Sequence, residues 1–218
     1  MRQLVLFTWA ACALAASAEF AHGDPRATLT PDTEASVPKA AAGTRDPRAY
    51  FTDAELVTQD GRKIKFYSDV LKDRVVVVNV MYTNCKDACP LITRQLAEVR
   101  DDLGDLFGKK VYFVSITSDP VRDTPRAIKK FAQEQNVDGA GWTFLTGSKQ
   151  NVDGILKRLG ALSENVEAHA TVLYILDVDN KRMRKMLPNL PPKAIAEAAR
   201  IIAAAGKRST AGIVPKAN

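Results

Sequence analysis

One run of residues constrains the fold more than any other segment of the chain. Residues 75–82 read Val-Val-Val-Val-Asn-Val-Met-Tyr, which is almost continuously apolar and rich in β-branched side chains. A strand that faces water on one side alternates polar and apolar residues, and this run does not. It is typical of a central strand covered on both faces, so we expect a sheet between two layers of helices.

Strand and helix patterns alternate on both sides of this central strand. Further strands are expected at residues 56–58, 63–66, 111–116, 142–145, 171–176 and 182–187, and helices at residues 90–106, 124–136, 148–160 and 192–205. Asp60-Gly61 and Asp179-Asn180 mark the turns of two hairpins. This order predicts a thioredoxin-like α/β fold: a central mixed sheet flanked by helices, with an added N-terminal β-hairpin.

The two ends of the chain lack the pattern of a folded domain. Arg2, an apolar run to residue 16 and the small residues Ala16-Ser17-Ala18 predict a cleaved signal peptide over residues 1–18, and therefore an exported, periplasmic protein. The apolar run is shorter than the ~20 residues of a membrane-spanning helix, although an uncleaved signal would anchor the domain to the inner membrane. Residues 19–48 are a predicted flexible leader, residues 49–205 the thioredoxin-like domain and residues 206–218 a flexible tail.

The charge of the chain narrows the range of partners. The net charge is +6, and the densest basic cluster is Lys181-Arg182-Met183-Arg184-Lys185. This cluster predicts an edge strand whose charges deter aggregation, or alternatively a docking patch for an acidic partner. Because no basic stripe is interleaved with aromatic residues, we expect no nucleic-acid binding.

Two cysteines form the first part of a candidate site. Cys12 leaves with the signal, so Cys85 and Cys89 remain, between the central strand and the next helix. A bridge that closes so small a loop would stabilise the fold little, and a helix start favours thiolates. If this segment is helical, the two side chains share one face and can hold a metal ion or form a disulfide. The charged residues Lys86 and Asp87 indicate a solvated turn and disfavour a third interpretation, two cysteines packed in the core.

His169 is the candidate third residue of the site. A lone histidine is more often structural, and we assign His22, in the leader, no role. In a thioredoxin-like fold, however, the loop that carries His169 lies against the cysteine turn. Two thiolates and one imidazole suit copper, as Cu(I) or Cu(II), whereas zinc prefers four ligands. We expect one copper per chain. The three methionines that could compete as ligands are expected to be packing residues: Met81, Met183 and Met186.

Four motifs occur in a characteristic order along the chain: Tyr82-Thr-x-Cys-x-x-x-Cys-Pro, Ser118-Asp-Pro-x-Arg-Asp-Thr-Pro, Trp142-x-x-Leu-Thr-Gly and His169-x-Thr-x-x-Tyr. Together they resemble the Sco/SenC family of cytochrome oxidase assembly proteins over about residues 51–204. The resemblance implies a thioredoxin fold with copper held by Cys85, Cys89 and His169. It also implies that the protein delivers copper to the dinuclear copper centre of a cytochrome c oxidase, or reduces the thiols of that centre.

The resemblance extends to supporting residues and partners. Asp119, Arg122 and Asp123 are implied to support the site or partner docking, while loop salt bridges and helix capping are the alternative. The expected recipient is the copper-site subunit of a respiratory oxidase, or another copper enzyme. A thioredoxin-like reductant or a second copper chaperone is a further expected partner. Lys86 stands where the family commonly has proline, and Ala170 where it commonly has serine. Neither change removes a ligand, but both leave open a paralogue that serves a different copper enzyme.

A thiol-disulfide oxidoreductase is the competing hypothesis, with Cys85 and Cys89 as its redox pair. Thioredoxins use C-x-x-C and have a cis-proline before the last hairpin, whereas this chain has C-x-x-x-C and Ala170-Thr171 there. A peroxiredoxin would need threonine or serine at the position of Tyr82. We therefore expect a copper metallochaperone first, and an enzyme that reduces a partner's cysteines second.

Overall fold

A computed structural model describes residues 46–168 and 171–205 of the chain. Within these ranges the strands are β1 (Glu55–Thr58), β2 (Lys63–Lys65), β3 (Val75–Met81), β4 (Val111–Thr117), β5 (Trp142–Thr146), β6 (Leu173–Asp177) and β7 (Arg182–Met186). The α-helices are α1 (Pro47–Phe51), α2 (Ala88–Leu103), α3 (Pro125–Glu134), α4 (Lys149–Leu159) and α5 (Pro192–Ala205).

The described strands form one mixed sheet in the order β2-β1-β5-β4-β3-β6-β7. β3, β4 and β5 are parallel neighbours, while β1 and β6 pair antiparallel with β5 and β3. The predicted N-terminal hairpin is confirmed and forms one edge of the sheet. Because β3 and β4 are parallel, with Met81 opposite Thr117, their carboxyl ends meet at the same edge. In open α/β sheets this is the edge at which ligand sites lie.

The core lies on both faces of the sheet. β3 is buried along its whole length, as its apolar run predicts. Its alternate residues enter two apolar clusters, with Val77 and Met81 in one and Val76 and Val78 in the other. Residues of α2, α3 and α5 complete the first cluster, and residues of α1, α4 and a π-helical turn (Phe66–Leu71) complete the second. β3 is therefore packed against the core on both of its faces.

Local sequence signals explain several helix ends. The Thr124 hydroxyl accepts a hydrogen bond from the Ala127 N–H at 3.2 Å, and Pro125 is the first residue of α3. Ser148 caps α4, and its hydroxyl accepts a hydrogen bond from the Asn151 N–H at 3.3 Å. Gly160 ends that helix in the left-handed conformation, with φ of 70°. These boundaries agree closely with the predicted ones.

Other boundaries differ from the prediction. α2 begins at Ala88 rather than Pro90, because proline is tolerated anywhere in the first helical turn. The α-helix also ends at Leu103, since Gly104 adopts a positive φ and a short 3-10 turn follows. Neither α1 nor the turn Phe66–Leu71 was predicted. Both are short and pack against each other through the Phe51 and Phe66 rings, whose centroids are 6.3 Å apart.

Several predicted segments lie outside the described residues. These are the signal peptide (1–18), the leader up to residue 45 and the tail (206–218), so the predicted domain boundaries stay predictions. Among the helices that the structure does describe, none combines the length and apolar character needed to cross a membrane.

Candidate metal centre

Cys85 and Cys89 lie where the central strand passes into the first long helix. β3 ends at Met81, residues 82–87 form a turn, and α2 begins at Ala88. Within the turn, the Cys85 N–H donates to the Tyr82 carbonyl at 3.2 Å. The cysteines are therefore at the carboxyl edge of the parallel strands, as predicted.

The two cysteines contact each other without forming a bridge. Both are free thiols, and the Cys89 N–H donates to Cys85 Sγ at 3.2 Å. Asp87, directly before α2, makes no side-chain capping bond, so the Cys85 sulfur satisfies one of the N–H groups at the helix start. The condition of a helical segment from Cys85 to Cys89 is not met, because Cys85 precedes the helix. The turn nevertheless brings the side chains together.

Both cysteines are more buried than the charged turn between them indicates. Lys86 and Asp87 are exposed, as expected, but Cys85 is 9% and Cys89 1% exposed. Both belong to the apolar cluster that contains Met81. The two interpretations, a solvated turn and cysteines in the core, are therefore not exclusive: the turn is solvated while the thiols face inward.

Burial dominates the electrostatics of the pair. It raises the pKa of the Cys89 thiol to about 12, and the hydrogen bond with Cys85 adds to the shift. Burial is also the main cause that raises the pKa of the Tyr82 phenol. The charge and hydrogen bonding of Cys85 raise it further, as do the charges of Cys89 and Glu167. Cys89 is thus held as a neutral thiol.

Asp123 connects the cysteine turn to the neighbouring strand. Its carboxylate accepts from the Thr83 N–H at 3.1 and 3.3 Å and from the Thr83 hydroxyl. It also accepts from the Thr117 hydroxyl, at the end of β4, at 2.5 Å. Asp123 is 1% exposed, so these bonds are shielded from water. The sequence alone assigned this residue no definite role, since Thr83 is distant in the chain.

Asp119 and Arg122 form a second contact in the same loop. The Arg122 guanidinium donates to Asp119, which is 6% exposed, while the Arg122 side chain is 63% exposed. Hydrogen bonding to Asp119 raises the pKa of Arg122, and the charges of Asp123 and Glu167 contribute. The salt-bridge alternative for Asp119 and Arg122 is therefore present in the structure, with the arginine still facing solvent.

The third predicted ligand, His169, lies outside the described residues, as do Ala170 and His22. The residues just before it form a short 3-10 turn (Val166–Ala168), and the Glu167 carboxylate there acts on both Tyr82 and Arg122. Among the described residues, no group of three or more His, Cys, Asp or Glu side chains could hold a metal ion. The described part of the site is thus a cysteine pair.

The methionines divide between core and surface. Met81 and Met186 are 1% and 7% exposed and pack in the core, which confirms their predicted role. Met183 is 49% exposed on β7, so the prediction that it packs is wrong. It lies opposite Leu176 of β6 on the edge strand, where three consecutive residues are exposed.

Comparison with known proteins gives one consistent family. Residues 42–204 match the family described as SCO1/SenC. A SCO1/SenC family lipoprotein from Bacillus anthracis is 30% identical in sequence, with a TM-score of 0.59 over 68% of this chain and 92% of that chain. BsSco, described as a member of the Sco family of cytochrome c oxidase assembly proteins with a disulfide switch, is 25% identical, with a TM-score of 0.59 over 71% and 93% of the two chains.

A copper-bound relative shares the same fold. Bradyrhizobium japonicum ScoI, whose structure has copper bound, is 21% identical, with a TM-score of 0.57 over 68% of this chain and 96% of that chain. These neighbours and the mixed sheet with helices on both faces confirm the predicted thioredoxin-like fold class.

Proposed function

The chain belongs to the SCO1/SenC family, and from that premise we propose that it is an exported copper metallochaperone. Cys85, Cys89 and His169 bind one copper ion, Cu(I) or Cu(II). The protein delivers this ion to the dinuclear copper centre in the copper-site subunit of a respiratory oxidase. Copper is the cargo of this activity rather than a resident cofactor.

The paired thiols are the observation that carries the proposal. Cys85 and Cys89 are reduced and in contact through the 3.2 Å bond between the Cys89 N–H and Cys85 Sγ. Two adjacent sulfur donors form a soft site, which selects copper over hard cations. Copper binding takes the proton from each thiol, so it replaces the neutral, buried form of Cys89 with a metal-bound thiolate.

The course of the chain before β6 supports His169 as the third ligand. β6 runs antiparallel to β3, with Val78 opposite Tyr174, so β6 begins near the edge where β3 ends. That edge carries the cysteine turn. The action of Glu167 on Tyr82 is a second indication that this segment approaches the cysteines.

The loop contacts give the remaining residues their roles. Asp123 fixes Thr83, two residues before Cys85, to the end of β4 and so holds the turn in place. Cys85 is the more exposed of the two cysteines. A partner's thiol would therefore meet Cys85 first, and copper would pass to the partner by exchange of one ligand at a time.

Thiol reduction is the second candidate function. The contact between Cys85 and Cys89 places two reduced sulfurs close enough to become a disulfide after a small adjustment. In that case the pair would give two electrons to a disulfide of the oxidase subunit. Cys85 and Cys89 would become a disulfide, and the two cysteines of the subunit would become thiols. The disulfide switch described for BsSco is consistent with this alternative.

Replacing the histidine separates the two functions. In cells that lack the native protein, His169→Ala should leave oxidase assembly deficient if copper is delivered, because the third ligand is lost. A pure reductase should tolerate the change, while Cys89→Ser should abolish either function. His22→Ala is the matched control, since it is the other histidine of the chain, and it should restore assembly fully. Full assembly with His169→Ala would reject copper delivery.

A further inference from the structure

β7 forms the edge of the sheet opposite the N-terminal hairpin. Among the described residues it pairs with β6 alone, so the backbone groups along its other side are not used by a strand. Four cations lie on or beside it and define what we call the basic edge: Lys181, Arg182, Arg184 and Lys185. A sheet edge of this kind can accept another strand.

The basic edge is not neutralised within the part of the chain that the structure describes. None of its four cations forms an ion pair there. Two carboxylates lie nearby: Asp177, the last residue of β6 and the register partner of Arg182, and Asp179 in the turn that follows. Their hydrogen bonds go to other groups. Asp177 accepts from the N–H and side-chain amide of Asn180 at 2.9–3.2 Å, and Asp179 accepts from the Asp73 N–H at 2.7 Å. The positive charge is therefore available to an outside partner.

One of these cations has a hydrogen-bond donor without an acceptor. Arg182 Nη1 is buried and has no hydrogen-bond partner in the described structure. A buried donor without an acceptor costs free energy. Lys185, by contrast, is held with Nζ 5.4 Å from the centre of the Tyr174 ring. The basic edge is thus partly ordered before any partner arrives.

Protection against aggregation does not account for the whole surface. Lysines on an edge strand commonly serve that purpose. On the opposite edge, however, Lys63 of β2 pairs with Glu55 at 2.9 Å. Beside the basic edge, Met183 and Leu187 are 49% and 58% exposed. An incoming strand would therefore find apolar side chains to contact as well as cations to pair with.

We propose that β7 binds an acidic, extended segment of a partner protein, which adds to the sheet as a further strand. Its backbone pairs with β7, its carboxylates meet the basic edge, and an apolar side chain covers Met183. A second copy of this chain is a poor occupant, because β7 against β7 would place like charges together. The inference does not depend on copper binding.

The direction of β7 relates this surface to the cysteines. β3 and β7 both run antiparallel to β6, so they run in the same direction. The Met186 end of β7 therefore lies towards the edge of the sheet where β3 leads into the cysteine turn. A partner strand on β7 would bring the rest of the partner to that edge.

A labelled peptide tests the proposal with the full chain. The probe is fluorescein-Val-Glu-Val-Glu-Val-Glu-Val, and binding is followed by anisotropy. We expect Arg184→Glu with Lys185→Glu to weaken binding about tenfold or more, because attraction becomes repulsion. Lys63→Glu with Lys65→Glu makes the same charge change on the opposite edge and should alter the affinity less than about twofold. Arg184→Gln with Lys185→Gln, a milder pair that is easier to fold, should give an intermediate loss.

Backbone pairing has its own control. A peptide of equal charge with proline in place of one central valine should bind about tenfold more weakly, because proline removes a backbone donor. Equal binding of the proline peptide, or an equal loss in the β2 variant, would overturn the proposal. It would also be overturned if phosphatidylglycerol vesicles, or a second copy in sedimentation, bound at β7 while the peptide did not.

Discussion

Asp123 holds Thr83 by accepting hydrogen bonds from both its backbone N–H and its hydroxyl. The same carboxylate accepts from the Thr117 hydroxyl. One buried side chain thereby fixes the start of the cysteine turn to the end of β4. The position of Cys85 depends on a residue that follows it by more than 30 positions in the chain.

We expect Asp123→Asn to destabilise the fold by about 1–3 kcal/mol, because the amide NH2 group cannot accept the hydrogen bonds that an oxygen accepts. Urea unfolding of the reduced, metal-free protein measures this loss. Amide exchange at the Cys89 N–H should accelerate at the same time, since the turn is released.

Asp105→Asn is the matched control for this change. Asp105 pairs with Lys109 at 3.0 Å, but its side chain is 98% exposed. Its replacement should change the free energy of unfolding by less than about 0.5 kcal/mol, as for other exposed ion pairs. If the Asp123 variant is equally mild, the carboxylate does not hold the turn.

Alkylation should distinguish the two thiols. Cys85 is 9% and Cys89 1% exposed, and burial raises the pKa of Cys89 to about 12. Iodoacetamide reacts with accessible thiolates, so brief treatment of the reduced protein should modify Cys85 before Cys89. Peptide mass spectrometry reads the order. In urea the two rates should become similar, and faster modification of Cys89 in the folded protein would contradict the described turn.

Gly141→Ala should destabilise the fold strongly. Gly141 has φ of 91°, and a Cβ there would lie 2.7 Å from Phe107 Cε1. That ring packs edge-on against Phe113, at 5.0 Å between centroids, so it has little room to move. We expect a loss of about 2–4 kcal/mol in urea unfolding, from overpacking and backbone strain together.

Gly139→Ala provides the comparison for this prediction. A Cβ at Gly139 meets nothing within 4 Å, so the change should be small. Equal unfolding midpoints for the Gly139 and Gly141 variants would contradict the prediction. They would show that the Phe107 ring can move away from a Cβ at position 141.

The fold was predictable where a signal was local. The buried run of β3 and the caps Thr124 and Ser148 gave the right elements, because their cause lies within a few residues of each boundary. The turn Phe66–Leu71 was missed, since it forms against Phe51 and Ala54 rather than from its own pattern. The start of α2 was placed late because proline marks the first turn without fixing its first residue.

The site was predictable in its chemistry and less so in its geometry. Sequence spacing identified Cys85 and Cys89, but it did not show that the Cys85 sulfur would accept a hydrogen bond ahead of the helix. Nor could it show how Asp123 reaches Thr83, because that contact requires two strands to be neighbours. The role of His169 rests on the course of the chain and the family resemblance, and it stays a prediction.

Copper titration of the reduced full chain tests the central claim most directly. Absorption would report sulfur-to-copper charge transfer, and electron paramagnetic resonance would report the ligands of Cu(II). His169→Ala is compared with His22→Ala, which alters the other histidine of the chain.

We predict binding of about one copper per chain, with charge-transfer bands that are retained in His22→Ala. In His169→Ala the affinity should fall and the spectra should change, because two thiolates remain without the imidazole. Wild-type affinity and unchanged spectra in His169→Ala would contradict the three-ligand copper site.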